Sequence, residues 1–194
     1  MPEHGACPWW LGHLLASPLR RLFSDPRPML DPYVREGMTV LEPGPGMGFF
    51  TLEIARRIGP NGRVVALDIQ PQMLRMLRQN AVRAGLNNIE TVLGTESDPK
   101  LPENALDLIV LVDVYHEFSQ PQKMLEKMRG ELKSNGRLVL LEYRKEDPSI
   151  PIRAEHKMSV AEVKTELEAE GFHLDQVLET LPRQHILILT KAVE

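Results

Sequence analysis

The chain has 194 residues, 42% of them hydrophobic and 26% charged, with a formal net charge of −4. That composition fits one globular domain with a sizeable core and lacks the basic excess that a nucleic-acid partner asks for. A single cysteine, Cys7, excludes an internal disulfide framework and fits a cytoplasmic protein.

Residues 1–37 differ from the rest. They hold six of the sixteen prolines, both tryptophans and the cysteine. Proline breaks helices, so only short helical turns are expected, near 9–15 and 19–23. No basic stretch leads into a long apolar run, so no secretory leader is expected. The apolar run at 8–15 is broken by Gly12 and His13 and is shorter than the roughly 20 residues of a membrane span.

From residue 38 to 194 strand and helix signals alternate. Strands are expected at 39–42, 63–68, 89–93, 106–112 and 137–142. Their apolar runs are continuous rather than alternating, which suits strands covered on both faces, as in a parallel sheet. Helices are expected at 48–58, 72–84, 121–132 and 159–170. The second aligns Met73, Leu74, Leu77, Ala81 and Ala84 on one face and stops at Gly85. Asn135-Gly136 reads as the turn before the fifth strand. Ser159 and Glu162 form a capping-box pattern at the start of the fourth helix. Strands at 173–179 and 185–190 close the chain as an antiparallel pair. The organisation is therefore an N-terminal segment, 1–37, and a single α/β domain, 38–194, with a doubly wound sheet. Ligands of such sheets sit at the carboxyl ends of the strands.

The first strand end carries the main signal. Glu42, Gly44, Gly46 and Gly48 form an E-x-G-x-G-x-G pattern. The dinucleotide fingerprint G-x-G-x-x-G fits Gly44 and Gly46, but its third glycine would fall at Phe49, one residue late. A carboxylate at Glu42 would repel a phosphate and attract an ammonium or sulfonium group. Asp68 ends the second strand about 20 residues on, where an acid accepts ribose hydroxyls. A cationic nucleoside without phosphate satisfies all three observations. A bare strand-to-helix turn needs fewer glycines.

Glu42-Pro43-Gly44-Pro45-Gly46-Met47-Gly48, followed by Asp68, resembles the class I S-adenosylmethionine-dependent methyltransferases of small-molecule type. The resemblance covers 38–190. It implies a Rossmann-like, seven-stranded, mostly parallel sheet with the last strand antiparallel, and S-adenosyl-L-methionine as cofactor. It implies that Gly44 and Gly46 approach the methionine part, that Asp68 holds the ribose and that Glu42 orders the amino group. Ile69 beside Asp68, Thr95 and Glu96 after the third strand, and Asp113 after the fourth complete the cofactor side. Thr95 stands where an aspartate is common in the family, so Glu96 and Asp98 are the candidate contacts to adenine, with a solvated acidic loop as the alternative for either.

Val112-Asp113-Val114-Tyr115-His116-Glu117-Phe118 follows the fourth strand. The resemblance puts this stretch beside the transferred methyl group. His116 is the candidate base, with Tyr115 and Glu117 on the acceptor. The alternative for His116 is a histidine packed under the sheet edge. No metal is expected, because Glu142 is followed by Arg144 and Lys145 where a site built with Asp113 and Glu117 would need acids. The long loop at 146–158 follows the fifth strand. Within and before it, Arg144, Arg153, His156 and Lys157 suit an anionic acceptor, although an ordinary solvated connection fits as well. Trp9 and Trp10 form a lid over the acceptor, or their segment packs on the domain or on a homodimer partner. Asp113 is followed by Val114, so the proline-rich signature of nucleic-acid amino-methyltransferases is absent. The expected function is methyl transfer to a small molecule. The rivals are an NAD(P)-binding oxidoreductase and a cofactor-binding module without turnover.

Overall fold

The computed structural model describes residues 27–95 and 97–192. The short turns expected near 9–15 and 19–23, with Trp9, Trp10 and Glu96, lie outside the described residues. The chain forms two compact units that divide at residues 95 and 96.

In the first unit, a four-residue helix α1 (Arg27–Leu30) precedes strand β1 (Thr39–Pro43) and helix α2 (Thr51–Ile58). Strand β2 (Arg63–Asp68), helix α3 (Pro71–Arg83) and strand β3 (Ile89–Leu93) follow. The strands are parallel in the order β3-β2-β1. Val40 and Leu41 of β1, and Val64 to Leu67 of β2, are all buried, as their continuous apolar runs required. Helix α2 begins three residues later than expected. Gly48 has φ +94°, which an α-helix cannot contain, so residues 46–50 form a turn first. Helix α3 ends as its sequence predicts: Gly85, at φ +68°, lets Leu86 N–H donate to Ala81 O at 3.0 Å, a Schellman-type stop. Met29, Leu30 and Val34 are buried, and Arg57 donates to Asp31 Oδ1 through Nε at 2.9 Å and Nη2 at 2.8 Å. The described end of the N-terminal segment is thus packed and ion-paired onto this unit.

The second unit starts with β4 (Leu106–Val112), a 3₁₀ turn (Tyr115–Glu117), α4 (Pro121–Glu131) and β5 (Leu132–Arg144). A second 3₁₀ turn (Ala154–His156), the two-residue β6 (Lys157–Met158), α5 (Val160–Ala169), β7 (Phe172–Leu178) and β8 (Gln184–Lys191) complete it. Strands run in the order β4-β5-β8-β7, with β6 beside β5. β4 and β5 are parallel, and β8 is antiparallel to both β5 and β7. The expected closing hairpin is therefore present. The Ser159–Glu162 capping box is complete, with both reciprocal bonds made. One turn is corrected. Asn135-Gly136 lies inside β5, where Leu106 pairs with Leu132 but Leu108 pairs with Arg137. The extra residues bulge out of the ladder, so a turn-forming pair is absorbed by the strand it was expected to precede. No helix among the described residues is long and apolar enough to cross a membrane.

Candidate functional site

Two constellations of polar groups stand at strand ends, one in each unit. In the first unit, β1 carries Glu42 to its carboxyl end, opposite Ala66 of β2. Gly44 N–H donates to Leu67 O at 2.9 Å, so the β1–β2 ladder continues into the glycine loop. Gly46 then turns the chain at φ +54°, and a Cβ there would meet nothing within 4 Å. The loop therefore leaves open space above Gly46. Gly48 has a different reason to be glycine. A Cβ there would lie 2.4 Å from Leu77 Cδ1 of α3. Asn80 Nδ2 of the same helix donates to Met47 O at 3.0 Å. Helix α3 thus supports the loop from below.

Glu42 is 3% exposed, and burial raises its pKa from 4.5 to about 7, with the Thr51 hydroxyl pulling partly the other way. Although close, neither Glu42 Oε2 nor Thr51 Oγ1 has a hydrogen-bond partner of acceptable geometry among the described residues. A buried carboxylate oxygen without a donor is costly. A ligand that brings an ammonium group to the strand end removes that cost. Asp68, 8% exposed, accepts from Gln70 N–H at 2.8 Å through Oδ1. That bond orders the turn after β2 at the position the ribose reading names, while the N-cap of α3 is Gln70, with no side-chain capping bond. Beside it Ile69 is 43% exposed, and Leu93, the register partner of Asp68, is 57% exposed. Both leave apolar surface exposed beside the strand end. Thr95 is exposed just beyond β3. These features fit an adenosyl group joined to an amino acid. A groove of about 630 Å³ lined by Ala55, Pro60, Asn87 and Asn88 opens at the opposite, amino ends of β2 and β3, away from this chemistry.

In the second unit, β4 ends at Val112 and Asp113 turns the chain at φ +50°, a conformation that aspartate adopts more readily than most residues. Asp113 Oδ1 accepts from Gln184 Nε2 at 2.6 Å. The 3₁₀ turn that follows wraps the Glu142 carboxylate at the end of β5. Glu142 Oε1 accepts from the backbone N–H of Tyr115 at 3.0 Å and of His116 at 3.3 Å. Glu142 Oε2 meets His116 Nδ1 at 2.7 Å. The Glu142 side chain is 0% exposed and that of His116 8%. Burial pulls the His116 pKa down, but the hydrogen bond and charge of Glu142, with the charges of Glu117 and Asp113, outweigh it and hold it above the ordinary 6.5. His116 Nε2 does not stand alone. It lies 3.1 Å from His156 Nδ1 and 4.0 Å from Glu117 Oε1.

Tyr115 takes a different place from the one its sequence position suggested. It is 3% exposed, packs edge-on against Phe118, and donates its hydroxyl to Glu166 Oε2 at 2.8 Å. Burial first, and then Glu166, hold its phenol well above the usual range. Tyr115 therefore steadies the turn that carries His116. Arg144 Nη2 donates to Leu181 O, and Lys157 Nζ to the carbonyls of Ile150 and Asp147, so both are committed to holding backbone. His156 alone of the basic residues in the 146–158 loop joins the His116 cluster. Nothing in the spacing of the sequence pairs His156 or Glu142 with His116. The one available signal was that Glu142 and Asp113 end neighbouring apolar runs.

Residues 34–184 match the methyltransferase domain family. The chain belongs to this family. It is also similar to the ubiquinone/menaquinone biosynthesis C-methyltransferase of Enterobacter sp. (strain 638), with 35% identity over 113 residues, 58% of this chain and 45% of that relative. The chain thus spans about half the length of the curated relatives it matches. A SAM-dependent methyltransferase from Aquifex aeolicus superposes with a TM-score of 0.91 at 28% identity, covering 96% of this chain and 100% of that one. The [4+2]-cyclase SpnF, at 15% identity and a TM-score of 0.74 over 86% of this chain and 80% of that one, shares the fold alone. The fold of this methyltransferase-family chain is the Rossmann-like class I fold, a mostly parallel sheet flanked by helices. Among the described residues, the seven longer strands match the expected number, and β6 adds a two-residue eighth. Of the two readings of the glycine loop, the family match supports the one that set the dinucleotide pattern aside.

Proposed function

We propose that this methyltransferase-family chain transfers a methyl group from S-adenosyl-L-methionine to a small-molecule acceptor. Its cofactor is S-adenosyl-L-methionine, which supplies a methyl group on a sulfonium centre and leaves as a neutral thioether. One observation carries the reading: the buried Glu42 Oε2 has no hydrogen-bond partner among the described residues and sits at the root of the glycine loop. We assign Glu42 to the ammonium, Gly44 and Gly46 to close backbone approach, and Asp68 to the ribose, with Gly48 letting the loop pack on α3. Ile69 and Thr95 flank the base. The binding step needs no phosphate-reading cation, which agrees with an acid at the loop's root.

We assign the acceptor side to His116 and Glu117, with Trp9 and Trp10 of the N-terminal segment. His116 is positioned by Glu142 and paired through Nε2 with His156, so it serves as a base only when that pair opens. The net charge of −4 supports a small molecule over a nucleic acid as acceptor. The lone cysteine supports a cytoplasmic location. Calorimetry with S-adenosylhomocysteine and with NAD tests the cofactor assignment. Saturable binding of the first and none of the second is expected. Binding of NAD alone would overturn it. Release of S-adenosylhomocysteine in an acceptor screen then separates an enzyme from a module without turnover.

A further inference from the structure

We propose that His116 Nε2, His156 Nδ1 and the Glu117 carboxylate form a binding site for a divalent transition-metal ion of the zinc class. These three ligand atoms lie within 4.8 Å of one another. The two imidazole nitrogens are 3.1 Å apart, with their rings nearly perpendicular at 69°. Two nitrogens bound to one tetrahedral zinc at about 2.0–2.1 Å are separated by roughly 3.4 Å. A shift of a few tenths of an ångström at the histidines, and a rotation of Glu117 inward from 4.0 Å, completes the set.

The surroundings are those of a metal site rather than of a chance pair. Glu142 is fully buried and holds His116 Nδ1 at 2.7 Å. That bond keeps the proton on Nδ1 and points the Nε2 lone pair toward His156 and Glu117. A carboxylate behind a ligating histidine is the usual way a protein fixes tautomer and ring orientation and raises ligand basicity. Glu142 is itself anchored by two backbone N–H groups, so the support is rigid. Two imidazoles and one carboxylate suit zinc, cobalt, nickel or ferrous iron rather than magnesium or calcium, which take oxygen ligands. Three protein ligands leave at least one coordination position open. This donor set differs from the Asp113, Glu117 and Glu142 trio that sequence reasoning set aside, because Glu142 is turned to His116 and Asp113 to Gln184. The competing account is a plain hydrogen bond between two histidines, with a proton where the ion would be.

The inference is independent of the cofactor assignment, but an ion on Nε2 takes the lone pair that a base role of His116 needs, so it replaces that role; its test uses the full chain without cofactor. Protein treated with a chelator and dialysed is titrated with zinc chloride by calorimetry, and with cobalt chloride by visible absorption. The wild type is expected to show a saturable site and cobalt bands of low coordination number. His156→Ala and Glu117→Gln are each expected to weaken that site at least about tenfold, and Glu142→Gln by about 10–100-fold as an outer partner. Thermal melts identify which variants fold, and a folded one decides the case if another does not. The chain holds other histidines and Cys7, so zinc binding elsewhere is expected to survive in the variants. Absence of saturable binding in the wild type would overturn the proposal. So would the same affinity and the same cobalt spectrum in folded His156→Ala and Glu117→Gln.

Discussion

Replacing Glu42 by glutamine is expected to stabilise the cofactor-free protein while weakening cofactor binding. The Glu42 carboxyl has a pKa of about 7 in the folded chain against 4.5 ordinarily. This gap corresponds to about 3 kcal/mol. Because the folded value is the higher one, the contribution of Glu42 is fully present below pH 4.5 and is lost as pH rises through about 7. Above that, the ionised carboxylate burdens the cofactor-free fold. Glutamine does not ionise, so Glu42→Gln is expected to raise the free energy of urea unfolding by about 1–3 kcal/mol at pH 8 and to change it little at pH 4.5. Cofactor binding is expected to move in the opposite sense. An ammonium–carboxylate hydrogen bond contributes about 1.5–3 kcal/mol, so calorimetry with S-adenosylhomocysteine should show roughly 10–100-fold weaker binding at pH 8. The wild-type affinity should also fall as pH drops below about 7, by up to about tenfold per unit, and the variant should lose that dependence. Equal stability changes at the two pH values would refute the burial argument. An unchanged affinity would refute the assignment of Glu42 to the ammonium.

The two turning glycines are expected to separate. Gly48→Ala places a Cβ 2.4 Å from Leu77 Cδ1 at φ +94° and should cost about 2–4 kcal/mol of stability in urea melts. Gly46→Ala meets nothing within 4 Å and should cost only the backbone strain, about 1–2 kcal/mol, while weakening cofactor binding; the reverse order of stabilities would contradict the packing account. Asp68→Ala is expected to weaken cofactor binding by about 1–3 kcal/mol, and unchanged affinity would remove Asp68 from the site. Glu142→Gln takes away the main group that raises the His116 pKa, leaving burial to act. An NMR titration should then find His116 titrating lower than in the wild type, and an unchanged curve would show that Glu142 does not set its charge.

The elements of the fold were legible because their signals are local. β2, β3 and β4 occupy the expected ranges, since a run of apolar residues bounded by turn formers needs no distant partner to be recognised. The glycine loop was legible for the same reason: a carboxylate and three glycines within seven residues restrict what can bind there. β5 was less so. Its Asn135-Gly136 pair is a turn by propensity, yet pairing with β4 holds it as a bulge, because ladder hydrogen bonds on either side outweigh a local preference.

What the sequence determined by itself is the family-level chemistry: a strand end with an acid, a glycine turn and a second acid about 20 residues on. Only tertiary structure decided how its charges are disposed. Thr51 stays beside Glu42 without satisfying Glu42 Oε2, which neither spacing nor composition records. Glu142 reaches His116 across 26 positions, and His156 reaches it across 40. Such bonds have no period and no motif. They exist because strand ends and returning loops bring distant side chains within hydrogen-bond reach, and the buried carboxylate then dictates which imidazole nitrogen faces outward.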